Sequence, residues 1–214
     1  LPFGNRETEG IVVERLLHPE RAGDLKSITK VLSPLPVATT ESLKLIDSVS
    51  HHFACNPWDV IRSAIPPRVA AVDKNVSFGV ADPQVSSEKS TNFQTLAPFI
   101  QAHEQIVPLV KENQSVGSVL IIAPDEKDVD LIIAALETGS IEVLKLTAAM
   151  PREERYRNYL QAIHGPNSIV VGTRSAIFAP VKNLATIIIH KESSYDHYEL
   201  RSPGWNSRSI ALMR

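Results

Sequence analysis

From residue 98 onward, the apolar and polar positions of the chain alternate between two patterns. Helical spacing over 98–112 is followed by the continuous apolar run "SVLIIA", and the same pairing of helix and apolar strand then repeats. Continuous apolar strands are typical of a parallel sheet that helices cover on both faces, so this region predicts an α/β fold. The further predicted elements are the helices "DEKDVDLIIAALE" and "PREERYRNYLQAI" and the strands "IEVLKL", "SIVVGT" and "LATIIIH".

The carboxyl ends of the predicted strands are the first place to look for function, because open parallel sheets bind ligands there. The last strand contains the run Ile187–Ile189, which is predicted to be buried and to present His190 and Lys191 at its end. The other residues at strand ends are Pro124-Asp125, Thr147 and Gly172-Thr173-Arg174.

The first 68 residues follow a different pattern, which predicts a small α+β unit. A turn around Gly4 precedes a predicted strand over Gly10–Leu16, and "DLKSITKVLSPLP" predicts further β structure. Two helices follow, the first in "TTESLKLIDSVSHHFA" with Thr39 or Thr40 as its N-cap, and the second in "NPWDVIRSAIPP". In the second helix, Asn56 is the predicted cap, Pro57 the first helical residue and Pro66-Pro67 the stop. Residues 69–92 are rich in small and polar side chains and predict a linker, so the lobe built on the sheet is assigned to 93–214.

Composition narrows the classes of function without selecting one. The net charge is −2, so any site for a polyanion must be local. Residues 145–182 are one such region, because they contain six lysines and arginines but only two glutamates. The single cysteine, Cys55, excludes an intrachain disulfide and is consistent with a cytoplasmic protein. No apolar run is long enough to span a bilayer, so no membrane partner is expected. Because the chain begins at Leu1 rather than methionine, we expect it to be a piece of a longer protein.

The end of the chain resembles the replication-restart primosome helicases. That family carries a strand followed by a GTRSA turn, an acidic box of the form DEEH, an SSY sequence and a segment containing GW. The matching residues are Gly172-Thr173-Arg174-Ser175-Ala176, Phe178, Pro180, Lys182-Asn183-Leu184, Ser193-Ser194-Tyr195 and Gly204-Trp205. Upstream, "VLIIAPDEKDVDLI" is similar to a helicase motif of the family, and "LPFGNRETEGIVV", "DLKSITKVL" and "PWDVIRSAIPP" resemble its N-terminal DNA-binding domain.

The resemblance implies a RecA-like helicase lobe, here degenerate and truncated at its C-terminus, preceded by part of a domain that binds the 3′ end of DNA. It implies that Gly4 and Lys26 line a pocket for a terminal 3′-hydroxyl, and that Thr173 and Arg174 touch the DNA backbone. The implied partners are forked DNA with a free 3′ end and primosome or replication proteins such as single-stranded DNA-binding protein. The zinc-binding region and second lobe of the family would lie beyond Arg214, so no cofactor is expected within this chain.

Two departures from the family predict that its ATP-driven chemistry is lost. A phosphate-binding loop requires glycines, a lysine and a Ser/Thr, yet no glycine occurs between Gly79 and Gly117. The dipeptide Lys89-Ser90 imitates the end of such a loop, but it is placed too early and is interpreted as chance. The acidic box is reduced to His190-Lys191-Glu192-Ser193, which leaves no carboxylate pair to hold Mg²⁺ and position water. ATP binding is therefore doubtful and no catalytic residue is assigned.

Several residues allow a plainer interpretation than a functional one. His190, Lys191 and Ser193 could form a new catalytic set, but a drifted surface loop is favoured. Adjacent histidines on a helix point in different directions, so a helix surface is favoured over a metal site for His51, His52 and Cys55. Two further groups have plain alternatives: a solvated helix face for Arg152, Arg155 and Arg157, and core packing for Trp58 and Phe53.

The sequence thus predicts a protein that binds forked DNA during replication restart and has no helicase activity of its own. Two alternatives stay open. One is an active 3′-5′ helicase that takes its motor residues from outside this chain, and the other is a primosome scaffold that binds proteins.

Overall fold

The computed structural model describes residues 2–3, 6–18, 23, 26–75, 90–95 and 101–214. The chain separates into two units, Leu1–Pro36 and Val37–Arg214, which are described one at a time.

In the first unit, the two short strands β1 (Pro2–Phe3) and β2 (Arg6–Glu7) pair antiparallel. The strand predicted over Gly10–Leu16 is wrong, because residues 8–16 have no regular secondary structure. The same holds for residues 26–33 of the second predicted β run. Val12 and Val13 are 59% and 56% exposed, so these two side chains are not packed against the described residues. Strand preference takes effect only where such packing exists, which is the physical reason for the error.

The second unit begins with the two helices expected from their caps. Helix α1 (Thr40–His52) starts at Thr39, whose side chain accepts a hydrogen bond from the Ser42 amide. Helix α2 (Pro57–Ala64) starts at Asn56, whose side chain accepts from the Trp58 amide. Trp58 itself is 47% exposed, so its assignment to the core is wrong, because it lies in the first turn of α2 away from the buried positions.

The segment after α2 contains a helix, which the prediction of a linker did not include. Helix α3 (Ala70–Asn75) lies within the range 69–92 that was predicted to link two domains. Its Asp73 is buried, forms an ion pair of 2.6 Å with Arg68 and accepts a hydrogen bond of 3.0 Å from the Tyr156 hydroxyl. Residues 76–89 lie outside the described residues. The domain boundaries at 68 and 92 stay a prediction.

The remainder of the unit is the predicted α/β fold with a four-stranded parallel sheet in the order β4-β5-β3-β6. The main core contains Val119, Ile121, Ile132 and Leu136, where β3 meets helix α5. The elements are α4 (Ala102–Asn113), β3 (Ser118–Ile122), α5 (Glu126–Thr138), β4 (Val143–Leu146), α6 (Arg152–His164), β5 (Ile169–Gly172), β6 (Leu184–Ile189) and α7 (Ser207–Met213).

Strand β6 differs from the prediction in its burial. All six of its residues are half-buried, whereas β3 is buried throughout. The difference follows from the strand order, because β6 lies at the edge of the sheet and β3 lies between two neighbours. The Ile187–Ile189 run is therefore an edge strand rather than a buried one.

A serine joins the amino ends of three strands. Ser118 is fully buried, and its hydroxyl donates to the Lys182 carbonyl at 2.5 Å and accepts from the Ser168 amide at 2.9 Å. Lys182 and Ser168 lie shortly before β6 and β5. The starts of β3, β5 and β6 are thereby fixed to one another.

Candidate nucleic-acid interface

The structure brings the residues that were predicted at strand ends together at the carboxyl ends of the parallel strands. Two backbone hydrogen bonds continue beyond the strands, from the Ala123 amide to Gly172 and from the His190 amide to Ile122. The residues that follow β3, β5 and β6 therefore emerge side by side, which is the arrangement expected of the ligand-binding edge of a parallel sheet.

The turn after β5 depends on Gly172. An added Cβ atom there would collide with the Leu146 carbonyl oxygen of β4 and with the Ala176 side chain. The absence of a side chain lets the chain pass directly into a short 3₁₀ helix, Arg174–Phe178, which begins after the half-buried Thr173. Thr173 and Arg174 are thus placed at the carboxyl end of an inner strand, as the sequence predicted.

Arg174 is held loosely at this position. Its Nε atom lies 3.4 Å from the Glu199 carboxylate, and a second guanidinium nitrogen donates to the Asp196 carbonyl at 3.4 Å. The side chain is 37% exposed. Hydrogen bonds this long are weak, so the guanidinium can exchange them for a stronger acceptor such as a phosphate oxygen.

Lys191, after β6, is held tightly instead. Its ammonium group donates to both carboxylate oxygens of Asp128 at 2.7 Å. Asp128 lies in the first turn of α5, and only 8% of its side chain is exposed. A cation thus already occupies the carboxylate at this edge of the sheet.

The other residues of the predicted degenerate box have separate roles. His190 is buried, and its carbonyl oxygen accepts a hydrogen bond of 2.9 Å from His197 Nε2. Burial lowers the pKa of His190 below its ordinary value, although the nearby Asp128 carboxylate acts in the opposite direction. Glu192 forms an ion pair of 2.6 Å with Arg208, and Ser193 is exposed. These contacts do not bring the box residues together around one point.

Two tyrosines that were not predicted as binding residues lie near the carboxyl ends of the parallel strands. Tyr195 and Tyr198 stack with their ring centroids 5.6 Å apart and an interplanar angle of 28°. Their exposures are 70% and 48%, so one ring face remains open to solvent. Aromatic faces of this kind bind unpaired bases without regard to sequence. The three-residue spacing of the tyrosines in "SSYDHYE" is the signal that could have identified them.

The cations between residues 145 and 182 are used mainly within the chain. Lys145 pairs with Asp130 at 2.6 Å, and this hydrogen bond is the main cause of its raised pKa. Arg157 pairs with Glu153 one helical turn away at 2.7 Å, as on an ordinary solvated helix face. Arg152 and Lys182 donate to the carbonyl oxygens of Arg68 and Gly165. Most of these cations are therefore paired within the chain, and fewer are available to a phosphate backbone than the count of charges suggests.

Lys26 is one of the two residues predicted to line a 3′-end pocket, and Gly4 is the other. Lys26 is exposed, whereas Gly4 lies outside the described residues. The proposed contact of these residues with DNA stays a prediction.

His51 and His52 are both exposed at the end of α1. The Nδ1 atom of His51 lies 3.5 Å from the Oδ1 atom of Asp47 on the helix surface. No group of three His, Cys, Asp or Glu residues that could hold a metal occurs among the described residues. Burial and the nearby Asp59 raise the pKa of the Cys55 thiol, which disfavours the thiolate that metal binding requires. None of the described helices is both long and apolar enough to cross a membrane.

Comparison with known proteins agrees with the family resemblance that the matched motifs carry. Residues 1–66 match the family model of the 3′DNA-binding domain of PriA. The chain is 29% identical to the probable replication restart protein PriA of Mycobacterium tuberculosis over 237 aligned residues, which cover 99% of this chain and 36% of that protein. It is 25% identical to the replication restart protein PriA of Chlamydia muridarum, with 98% of this chain and 30% of that protein covered.

Over nearly its whole length, including the parallel α/β unit, the chain is thus similar to proteins named for replication restart. Its first 66 residues are similar to the 3′DNA-binding domain of PriA. The chain spans about a third of the length of the curated relatives it matches.

Proposed function

We propose that this chain acts in replication restart by binding forked DNA with a free 3′ end, and that it helps to reload the replication machinery at stalled forks without helicase activity of its own. The match of residues 1–66 with the 3′DNA-binding domain of PriA carries this proposal. Primosome or replication proteins, such as single-stranded DNA-binding protein, are its proposed protein partners.

The edge of the sheet supports a second contact with DNA. Arg174 has weak internal hydrogen bonds and can donate to a backbone phosphate, while Tyr195 and Tyr198 offer an open aromatic face to an unpaired base. A fork supplies both chemical groups, because its arms contain duplex backbone and its junction contains unstacked bases.

The ion pair of Lys191 supports the absence of helicase activity. In a nucleotidase lobe, carboxylates at this edge must be free to hold Mg²⁺ and position water. Here the Asp128 carboxylate is occupied by an ammonium group that donates to both of its oxygens. A second positive charge at that point would be repelled by Lys191, so the described residues do not suit Mg·ATP.

Fluorescence anisotropy with two forks tests the proposed DNA end. The complete protein should bind a fork with a free 3′-hydroxyl more tightly than the same fork with a 3′-phosphate, because extra charge and bulk do not fit a closed ribose site. Lys26→Ala should remove this preference, whereas Lys30→Ala, at another exposed lysine of the same segment, should keep it. Equal affinity for the two forks would reject the pocket, and no salt-dependent DNA binding at all would favour the protein scaffold.

Phosphate release tests the second half of the proposal. Turnover of ATP by this chain should stay at background with or without forked DNA. Turnover that forked DNA stimulates, and that survives Lys89→Ala, would contradict the proposal and support an active helicase.

A further inference from the structure

Arg155 occupies an unusual position among the cations of α6. Its side chain is half-buried, and burial lowers the pKa of its guanidinium below the ordinary value. No hydrogen bond or ion pair of this side chain occurs within the described part of the chain. Charged groups that leave water in a protein normally gain a partner in exchange, because an isolated buried charge is strongly unfavourable. Because Arg155 is only half-buried and has no partner among the described residues, its guanidinium is available to a ligand.

Arg155 lines a narrow cleft of about 10 Å³, which is room for little more than a single ligand atom. The cleft contains one further polar side chain without a hydrogen bond to the described residues, the half-buried Ser175 hydroxyl. Tyr159 also lies there, but its hydroxyl already donates to the Val37 carbonyl at 2.8 Å. The remaining walls are apolar and are formed by Ala64, Pro66, Leu146, Ala176 and Ala179.

The chemistry of the cleft selects an oxyanion. Arginine presents up to five N–H donors and a serine hydroxyl adds one more, while the cleft contains no carboxylate that would repel a negative charge. The narrow cleft fits a single oxygen atom that projects from a larger group outside. A phosphodiester has this form, because each phosphate of a nucleic-acid backbone projects two such oxygens.

The position of the cleft favours DNA over an acidic peptide. Ser175 directly follows Arg174 in the turn after β5, so a strand that contacts Arg174 passes close to the cleft. We infer that Arg155 and Ser175 form a binding site for a backbone phosphate of DNA, one that deepens the proposed function and rests on it.

Anisotropy titrations of forked DNA across a range of salt concentrations test this site. Arg155→Gln removes the charge and shortens the side chain, but it keeps a polar amide that can donate a hydrogen bond. It should lower the affinity about tenfold and reduce the slope of log affinity against log salt by about one. Ser175→Ala should weaken binding by about threefold without a change of slope, because it removes one neutral donor.

Arg157→Gln is the matched control, because Arg157 lies two residues further along α6 and is paired with Glu153. It should leave the affinity within about twofold of the original. A melting curve separates the proposed site from a structural role: Arg155→Gln should melt at the same temperature as the original protein or higher, because it removes an unpaired charge.

The outcomes distinguish this site from the proposed function. If the original protein binds forked DNA and Arg155→Gln binds it with equal affinity and slope, the site is wrong and the proposed function stands. If the original protein does not bind DNA, the proposed function fails and this site fails with it. Binding of an oligoglutamate peptide that depends on Arg155, without DNA binding, would assign the cleft to an acidic protein partner and overturn the phosphate site.

Discussion

The turns after β5 and β6 lie at the same edge of the sheet and each carries a cation, yet the two cations are held differently. Arg174 is 3.4 Å from Glu199 and Lys191 is 2.7 Å from both oxygens of Asp128. Glu199 is in a loop, whereas Asp128 is in the first turn of a helix and buried. Position at the carboxyl end of a parallel strand is thus not sufficient to make a cation available, because a close and buried internal partner can hold it.

The largest effect is expected from a change that breaks the turn after β5 itself. In Gly172→Ala, the new Cβ atom meets the Leu146 carbonyl of the neighbouring strand, so the unfolding free energy should fall by about 3 kcal/mol. Urea denaturation measures it. Gly139→Ala is the control, because the nearest atom to its new Cβ is 3.2 Å away at the end of α5. Equal losses in the two variants would mean that Gly172 has no special role in the turn.

The next effect tests how tightly the turn after β6 is held. Lys191→Met leaves the buried Asp128 carboxylate without its cation, and the unfolding free energy should fall by about 1–2 kcal/mol, less than for a fully buried pair because Lys191 is half exposed. Adding Asp128→Asn to this variant should recover part of the loss. Urea denaturation measures the loss of unfolding free energy in each variant. If the losses of the two single variants simply add in the double variant, Lys191 and Asp128 are not coupled, and Lys191 is held no more tightly than Arg174.

A smaller effect is expected on DNA binding by the loosely held cation. Arg174→Ala should weaken binding of forked DNA by about 1 kcal/mol and lower the salt slope by about one, with little dependence on sequence. Glu199→Gln should act in the opposite direction, because it removes the carboxylate that competes with phosphate for Arg174. Anisotropy measures both. An unchanged slope in Arg174→Ala would assign Arg174 a structural role.

The smallest effect is a pH dependence that arises from His190 at the start of the tightly held turn. Burial lowers the pKa of His190 in the folded state, so the unfolded chain takes up a proton first as the pH falls. Stability should therefore decline from about pH 6.5, the ordinary histidine value, down to the lowered pKa of the folded state. Asp128 opposes this shift, whereas Lys191, His103 and His197 support it.

Between pH 7 and pH 5, the variant His190→Gln should lose less unfolding free energy than the original protein. The difference should be less than about 1 kcal/mol. Urea denaturation at several pH values provides the measurement. An identical decline in the variant and the original protein would mean that another group is responsible.

The elements of the second unit were predictable because local signals and long-range packing agree. Thr39 and Asn56 cap α1 and α2, and the continuous apolar strands form the inner part of the sheet. In the first unit, Val12 and Val13 have the local character of a strand but are not packed against the described residues, so the same reasoning failed. Local preference is informative only where tertiary contacts support it.

The candidate interface could be predicted by position but not by contact. The GTRSA turn located Thr173 and Arg174 at a strand end, because the strand pattern is local. The pairing of Lys191 with Asp128 spans 63 residues, and that of Arg174 with Glu199 spans 25. Such partners are determined by how the helices and loops pack on the sheet. The local sequence pattern gives no information about this packing. For the same reason, the charge surplus over 145–182 suggested a larger phosphate-binding surface than the ion pairs leave available.

The serine at the start of β3 has a consequence for how such a protein can change over evolutionary time. Ser118 ties together the beginnings of three strands at the edge opposite His190 and Lys191. Substitutions in the loops at the carboxyl ends of the strands therefore leave these bonds intact, and selection can act on the two ends of the sheet independently. A protein with this sheet could exchange the side chains after β3, β5 and β6 one substitution at a time and keep the same sheet at every step.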